Sequence, residues 1–407
     1  NEAVFGTNAH ARDQAQKSIR DLAMVHGAYP ASIQGLYSAA GRGLYKGVTV
    51  PAVNIRGLTY DVARAVFRAA LKGKVGAFIF EIARSEIGYT KQRPGEYGAC
   101  VLAAAVREGF TGPVFIQGDH YQVSATKYGA DSEKELTAIE ELIKESIAGG
   151  FLNIDIDAST VVDLKKPNLE QQQAANCQIT ARITDFIRTV QPKGVTVSVG
   201  GEIGEVGGRN STVDDLNAFM KGYLANLKNG IQGISKISVQ TGTTHGGVVL
   251  PDGSIAKVQL DFATLRDLSR LAREMYGLAG AVQHGASTLP ESAFEMFPQK
   301  GAAEVHLATG FQNIIFDSPS FPKGLLAEIN KHLISSYADE RKQGETDEQL
   351  LYKTRKKAFG DFKRQLWDIP PANLDSIMQA LENQFSMLFR KLNVVNSDEL
   401  VAKYVGR

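Results

Sequence analysis

Four of the seven histidines stand at the ends of short apolar runs, and three carboxylates share that placement. Neutral imidazoles combined with a carboxylate are the usual ligands of a catalytic zinc ion, whose coordination shell keeps one position open. If the fold brings the ends of these runs together, the sequence predicts a divalent metal centre. The residues concerned are His120, His245, His284, His306, Asp119, Asp157 and Glu202.

Glycine-rich turns accompany these side chains, at residues 200–208, 242–247 and 284–287. Successive backbone N–H groups in such turns bind phosphate without the help of Lys or Arg. A hydroxyl such as that of Ser287 or Thr309 can add a further donor. Together with the candidate ligands, the turns predict a phosphorylated, oxygen-rich small substrate.

Eight apolar runs alternate with segments of helical periodicity. Runs that are hydrophobic on both faces predict a parallel sheet, and eight such units predict closure into a TIM (β/α)8 barrel. An open doubly wound sheet is the alternative, but the first run lacks the GxGxxG turn that such sheets use for dinucleotides. Catalytic groups of TIM barrels lie at the C-terminal ends of the strands, which is where the candidate ligands stand. The runs cover residues 48–55, 75–82, 113–120, 151–159, 194–204, 233–246, 278–287 and 302–310.

Helical segments precede and follow these runs. Residues 11–24 and 30–40 predict N-terminal helices, and Ser132 is expected to cap a later helix. After the eighth run, the chain is helical and charged. We therefore expect an α/β protein with its barrel and N-terminal helices in residues 1–330. A helical extension at 331–407 is expected to pack on the barrel or in a subunit interface.

Composition excludes several classes of function. Of 407 residues, 43% are hydrophobic and 22% charged, and 45 Lys and Arg against 44 Asp and Glu leave a net charge of +1. Such a chain has no overall field for nucleic acid or an anionic membrane. No apolar run approaches the roughly 18 residues of a membrane span, the first residues lack a signal-peptide core, and two cysteines exclude a disulfide framework. We expect a cytoplasmic protein that binds neither nucleic acid nor membrane.

Five motifs, in this order, closely resemble the class II, metal-dependent fructose-bisphosphate aldolases. They are GDH at 118–120, IDAS at 156–159, GEIGEVGG at 201–208, GTTHGG at 242–247 and QHGAS at 283–287, and the resemblance covers about residues 48–310. It implies reversible cleavage of fructose 1,6-bisphosphate into dihydroxyacetone phosphate and glyceraldehyde 3-phosphate, in glycolysis and gluconeogenesis. It further implies zinc or another divalent metal, an optional monovalent cation, and a homodimer or homotetramer.

The resemblance also implies roles for individual residues. Asp119 is similar to the family's catalytic acid/base, and Glu202 to its carboxylate metal ligand or alternate ligand. Asp157 matches an aspartate near an alternative metal position. The implied zinc-binding histidines are His120, His245 and His284. Substrate contacts are implied for Asn54, Gly207, Gly246, Gly285, Ser287 and Thr309.

The chain departs from the family pattern in two places. After the eighth run the family typically has Asn and Asp, where this chain has His306 and Ala308. In the loop after Gly207 and Gly208, Arg209 and Asn210 stand where the family often has carboxylates that move protons. Glu205 is the nearest carboxylate and the candidate to protonate the C3 carbon of the substrate. A cation must bind the C6 phosphate, and one candidate is a basic cluster that could also reach a neighbouring subunit. The cluster is Lys353, Arg355, Lys356 and Lys357.

These departures leave two other functions open. The first is a tagatose-bisphosphate aldolase or a metal-dependent ketose epimerase on the same barrel. The second is a non-catalytic, aldolase-like partner subunit, which the intact Asp119 and three candidate ligands argue against.

Overall fold

The computed structural model describes residues 1–204, 208–242, 250 and 260–405. Four of the candidate site residues lie outside these described residues, so their predicted roles remain predictions. They are Glu205, Gly207, His245 and Gly246.

Eight parallel strands form a closed barrel, as the sequence predicts. Strands β2 to β9 each pair with the next strand along the chain, and β9 pairs with β2 to close the ring. Most strand residues are buried on both faces, because helices cover the outside and side chains fill the inside. The described strands are β1 Ala28–Ala31, β2 Val50–Asn54, β3 Ile79–Ala83, β4 Gly112–Gln122, β5 Asn153–Asp157, β6 Ser198–Glu202, β7 Lys236–Val239, β8 Ala281–Gln283 and β9 Glu304–Leu307.

Strand β1 is an addition to the barrel that the sequence analysis did not predict. It pairs in parallel with the first part of β4, from Ala28 opposite Gly112 to Ala31 opposite Phe115. The expected helix over residues 30–40 is therefore wrong at its start, since Pro30 lies in β1. Proline lacks an N–H and suits an outer strand, where no ladder bond is lost.

Helices surround the barrel in the alternating order that the sequence predicts. The expected cap at Ser132 is wrong, because the Asp131 side chain accepts the N–H of Lys134 at 3.0 Å and caps this helix instead. The described α-helices are α1 Glu2–Phe5, α2 Ala9–Val25, α3 Gln34–Gly41, α4 Thr59–Gly73, α5 Arg84–Thr90, α6 Pro94–Glu108, α7 Ala125–Ala130, α8 Ser132–Ala148, α9 Leu169–Val190, α10 Val213–Asn226, α11 Phe262–Tyr276, α12 Glu291–Phe294, α13 Met296–Lys300, α14 Thr309–Phe316, α15 Lys323–Ser336, α16 Asp347–Thr354, α17 Ala358–Asp361, α18 Lys363–Trp367, α19 Pro371–Lys391 and α20 Asp398–Tyr404.

The C-terminal helices pack against the first β/α units. Helix α19 lies on α4, where buried Glu382 pairs with Lys72 and, at 2.6 Å, with Arg68. Ser397 accepts the backbone N–H groups of Gly76 and Ala77 at 3.1 and 3.0 Å. Within the described ranges, no helix is both long and apolar enough to cross a membrane.

Candidate metal centre

A bulge near the end of β4 places two neighbouring candidate residues side by side. The register against β5 shifts between Gly118 and Tyr121, and His120 has a φ of 39°. A Cβ at position 118 would lie 2.5 Å from the Tyr121 ring, so the bulge requires glycine there. Strand residues normally point to opposite faces, but this distortion brings Asp119 Oδ1 within 3.9 Å of His120 Nε2.

His120 and His284 bring nitrogen donors together from opposite sides of the barrel mouth. The Nε2 atom of His120 lies 2.8 Å from Nδ1 of His284. The other ring nitrogens contact oxygens: Nδ1 of His120 lies 3.2 Å from Asp157 Oδ2, and Nε2 of His284 lies 3.0 Å from Ser238 Oγ. Metal-binding histidines are oriented by this kind of contact on the second nitrogen. Asp119, His120 and His284 therefore form a donor group that fits a divalent ion.

Asp157 and Glu202 form a second donor group around the other side of His120. Glu202 Oε2 lies 3.0 Å from Nδ1 of His120. Burial raises the pKa of Glu202 to about 7, helped by the neighbouring charge of Asp157. Burial opposes ionisation of Asp157 as well, but hydrogen bonds from His120 and Ser159 outweigh it and lower the pKa of Asp157.

His306 stands immediately below this donor group, inside the barrel. Its ring centroid lies 4.0 Å from that of His284, and its Nδ1 lies 3.2 Å from Asp119 Oδ1 and 3.0 Å from Glu81 Oε2. Burial disfavours a charged ring, but the carboxylates of Glu81 and Asp119 outweigh it and raise the pKa of His306. A protonated His306 can thus hold the Asp119 carboxylate in place.

Sequence analysis missed the buried charged layer beneath His306. Lys236 Nζ lies 2.9 Å from Asp155 Oδ2 and 2.5 Å from Glu304 Oε1, and Gln117 bonds to both Lys236 and Glu304. We call Glu81, Gln117, Asp155, Lys236 and Glu304 the interior layer. Glu81 and Asp155 each stand between two apolar residues of their strands, and this alternation is the signal that could have indicated side chains facing into a closed barrel.

A cavity of about 540 Å³ opens above the donor group, and we call it the upper cavity. Thr309 Oγ1 accepts from Arg56 at 3.3 Å, and Ser287 Oγ accepts the N–H of Ala308 at 2.6 Å. Asn54 Nδ2 donates to Glu86 at 2.6 Å. The described substrate-contact candidates thus share one cavity with Asp119, His120 and His284, whereas Asp157 and Glu202 do not line it; the candidates are Asn54, Gly285, Ser287 and Thr309.

Of the basic cluster in the extension, Lys356 lines the upper cavity. Lys353 pairs with Glu345 at 2.7 Å, and the other two members, Arg355 and Lys357, also bind carboxylates. Lys356 has no carboxylate partner among the residues that the structure describes, and its Nζ lies 5.6 Å from the centre of the Tyr89 ring. Burial, followed by the charge of Arg56, lowers the pKa of Lys356.

The fold and site together define a (β/α)8-barrel protein with candidate metal ligands at the C-terminal ends of its strands. A family model described as "Fructose-bisphosphate aldolase class-II" matches residues 36–365. The chain therefore belongs to the class II fructose-bisphosphate aldolase family, as the motif order predicts. The family supports a lyase-type enzyme and is typically metal-dependent.

Solved structures share this fold at low sequence identity. The fructuronate-tagaturonate epimerase UxaE from Cohnella laeviribosi is 12% identical with a TM-score of 0.63, and the alignment covers 86% of this chain and 82% of that one. Fructose-bisphosphate aldolase from Campylobacter jejuni is 17% identical with a TM-score of 0.53, covering 91% and 96%. The YdjI aldolase from Escherichia coli K12 is 15% identical with a TM-score of 0.50, covering 92% and 99%. No curated protein matches the sequence.

Proposed function

We propose that the protein is a zinc-dependent aldolase that reversibly cleaves fructose 1,6-bisphosphate into dihydroxyacetone phosphate and glyceraldehyde 3-phosphate. The observation that carries the proposal is the position of Asp119, whose carboxylate lies beside two imidazoles on the wall of the upper cavity. The family acts on phosphorylated sugars, which supports the substrate class. In this proposal the enzyme works in the cytoplasm as a homodimer or homotetramer, in glycolysis and gluconeogenesis.

His120 and His284 would hold the ion, together with His245, and Glu202 and Asp157 would serve an alternative position. When bound, zinc or another divalent metal supplies a Lewis acid that draws electron density from a carbonyl group. The chain itself orients the imidazoles, because Asp157 and Ser238 contact the ring nitrogens that face away from the donor group. A monovalent cation is an optional second ion in the proposal.

Asp119 is the proposed acid/base. In cleavage, the C4 hydroxyl gives its proton to the Asp119 carboxylate, C4 becomes the aldehyde carbon, and the electron pair of the C3–C4 bond stays on C3. Glu205 is the proposed donor of the proton that C3 then receives. In synthesis both protons move back. His306 contacts Asp119 from below and keeps this carboxylate turned toward the cavity.

The two phosphates are assigned to different residues of the upper cavity. Gly285, Ser287 and Thr309 are the described candidates for the phosphate of the dihydroxyacetone half, with Gly207 and Gly246 from the sequence. The other phosphate needs a cation, and Lys356 is the proposed one because it lines the cavity and lacks a carboxylate partner in the described ranges.

A second candidate function follows from the end of β9. His306 and Ala308 stand where the family typically has Asn and Asp, so the contacts to the substrate hydroxyls differ there. This difference favours a tagatose-bisphosphate aldolase or a ketose epimerase on the same site.

Metal analysis combined with a substrate comparison tests the proposal. The purified enzyme should contain zinc, should form triose phosphates from fructose 1,6-bisphosphate faster than from tagatose 1,6-bisphosphate, and should lose turnover on chelation. A ketose of changed configuration without triose phosphates would indicate the epimerase. Bound metal without turnover of either sugar would indicate the non-catalytic partner subunit.

Single-site variants test the ligand set. His120→Ala, His245→Ala and His284→Ala should each lower the zinc content, because each removes a proposed ligand. His10→Ala, which changes an exposed histidine on α2, is the matched control and should retain zinc. Full zinc content in all three ligand variants would contradict the assigned metal centre.

A further inference from the structure

A second cavity, of about 530 Å³, lies at the N-terminal end of the barrel. We call it the lower cavity. Val48, Ala279 and Ala303, which line it, stand just before strands β2, β8 and β9. The lower cavity therefore opens at the end of the barrel opposite the candidate metal centre, and its volume is in the range of small-molecule sites.

The wall of the lower cavity is strongly basic. Five cations and one carboxylate, Glu274, line it, although the whole chain carries a net charge of only +1. Arg266 pairs with Asp267 at 2.9 Å, whereas the other four cations form no ion pair with a carboxylate in the described part of the chain. The five cations are Lys46, Arg266, Arg270, Arg273 and Lys300.

Arg273 is held in a fixed position at the base of this cavity. Its Nη1 donates to the backbone carbonyls of Ala279 and Gly301, both at 2.7 Å. A Cβ at Gly301 would lie 2.2 Å from Nη2 of Arg273, and one at Gly280 would lie 2.7 Å from Nη1. The backbone thus makes room for the guanidinium and orients it, but the carbonyls leave its charge unneutralised.

We propose that the lower cavity binds a small phosphorylated metabolite, separately from the candidate active site. An oriented guanidinium whose Nε and Nη2 form no hydrogen bond with the described residues suits the oxygens of a phosphate group. Further cations around the wall match a ligand that carries more than one anionic group. Tyr45, which also lines the cavity, adds aromatic surface for the uncharged part of such a ligand.

Equilibrium dialysis of the metal-loaded protein with radiolabelled inorganic phosphate tests this site. The double variant Lys46→Gln/Arg270→Gln removes two exposed charges that form no side-chain hydrogen bond or ion pair in the described ranges, so its fold should be retained. Phosphate affinity of the lower cavity should fall about tenfold or more. Arg273→Lys should weaken it too, because lysine lacks the planar fork.

Two controls separate this site from the upper cavity. Lys356→Ala should weaken phosphate binding in the upper cavity and leave phosphate binding in the lower cavity unchanged. Lys221→Gln, which removes an exposed charge on α10, should leave phosphate binding in both cavities unchanged. The proposal is overturned if the double variant binds phosphate like the unmodified protein, or if Lys356→Ala abolishes all phosphate binding.

Discussion

The two ends of the barrel differ in how their charged side chains are paired. At the C-terminal end, the carboxylates of Asp119, Asp157 and Glu202 surround His120, and hydrogen bonds and ion pairs connect them. At the N-terminal end, four of five cations around the lower cavity lack a carboxylate partner within the described ranges. A chain of net charge +1 thus has a cavity whose cations mostly lack carboxylate partners in the described ranges. Net charge alone therefore says little about the ligands of either mouth.

The interior layer lies between these two ends and is charged in spite of complete burial. Burial opposes ionisation of Glu304, but Lys236 and His306 outweigh it and lower the pKa of Glu304. Burial raises the pKa of Glu81, and the charge of Asp119 adds to the effect. Lys236 and His306 thus favour the ionised form of Glu304, whereas burial favours the neutral form of Glu81. The upper cavity consequently lies above a layer whose protonation is set by neighbouring charged side chains and not by solvent.

The largest effect is expected from Asp119→Asn, which tests whether the upper cavity contains the active site. The amide cannot accept the C4 hydroxyl proton, so kcat should fall by about 10² to 10⁴. Zinc content should be retained, because the proposed ligands are the imidazoles and the amide keeps an oxygen atom beside them. Steady-state assay with metal analysis measures both, and Asp163→Asn, an exposed aspartate, is the matched control. Near-normal turnover of Asp119→Asn would refute the assigned role.

Replacing the cation of the interior layer should mainly affect stability. In Lys236→Met, Asp155 and Glu304 lose their shared ammonium, and breaking a buried pair costs about 3–5 kcal/mol in free energy of unfolding. Urea unfolding followed by circular dichroism measures this change. Adding Glu304→Gln should restore part of the loss, since it removes one of the stranded charges. A loss no larger than that of the exposed control Lys221→Met would contradict a charged interior layer.

Lys356→Ala tests whether the upper cavity, like the lower one, binds an anionic group. The variant loses a charge-assisted contact of about 1.5–3 kcal/mol, so KM for fructose 1,6-bisphosphate should rise about tenfold or more while kcat changes little. Lys353→Ala is the matched control, because Lys353 pairs with Glu345 and does not line the upper cavity. Equal KM values for the two variants would contradict the assignment of Lys356 to phosphate binding.

The sequence predicts the barrel well and its interior poorly, for a physical reason. Apolar runs and strand-end residues repeat with the β/α units, so the eight strands and the positions of Asp119, His120 and His284 follow from local pattern. Lys236 and Glu304 also stand within apolar runs, but a charged residue at one alternate position is equally typical of a strand face in water. Closure of the ring turns that face inward, and closure is a property of the whole chain. The choice of Lys356 from its basic cluster likewise depends on tertiary packing.

The smallest effect is expected where the lower cavity meets the interior layer. Tyr37 lines that cavity, and its hydroxyl donates to Glu304. Glu304 keeps Lys236 as a partner in Tyr37→Phe, so the free energy of unfolding should fall by only about 1 kcal/mol. Tyr60→Phe, which changes a tyrosine on α4 packed against Arg64, is the matched control and should change it less. Equal losses in the two variants would show that the hydroxyl of Tyr37 contributes nothing to holding Glu304.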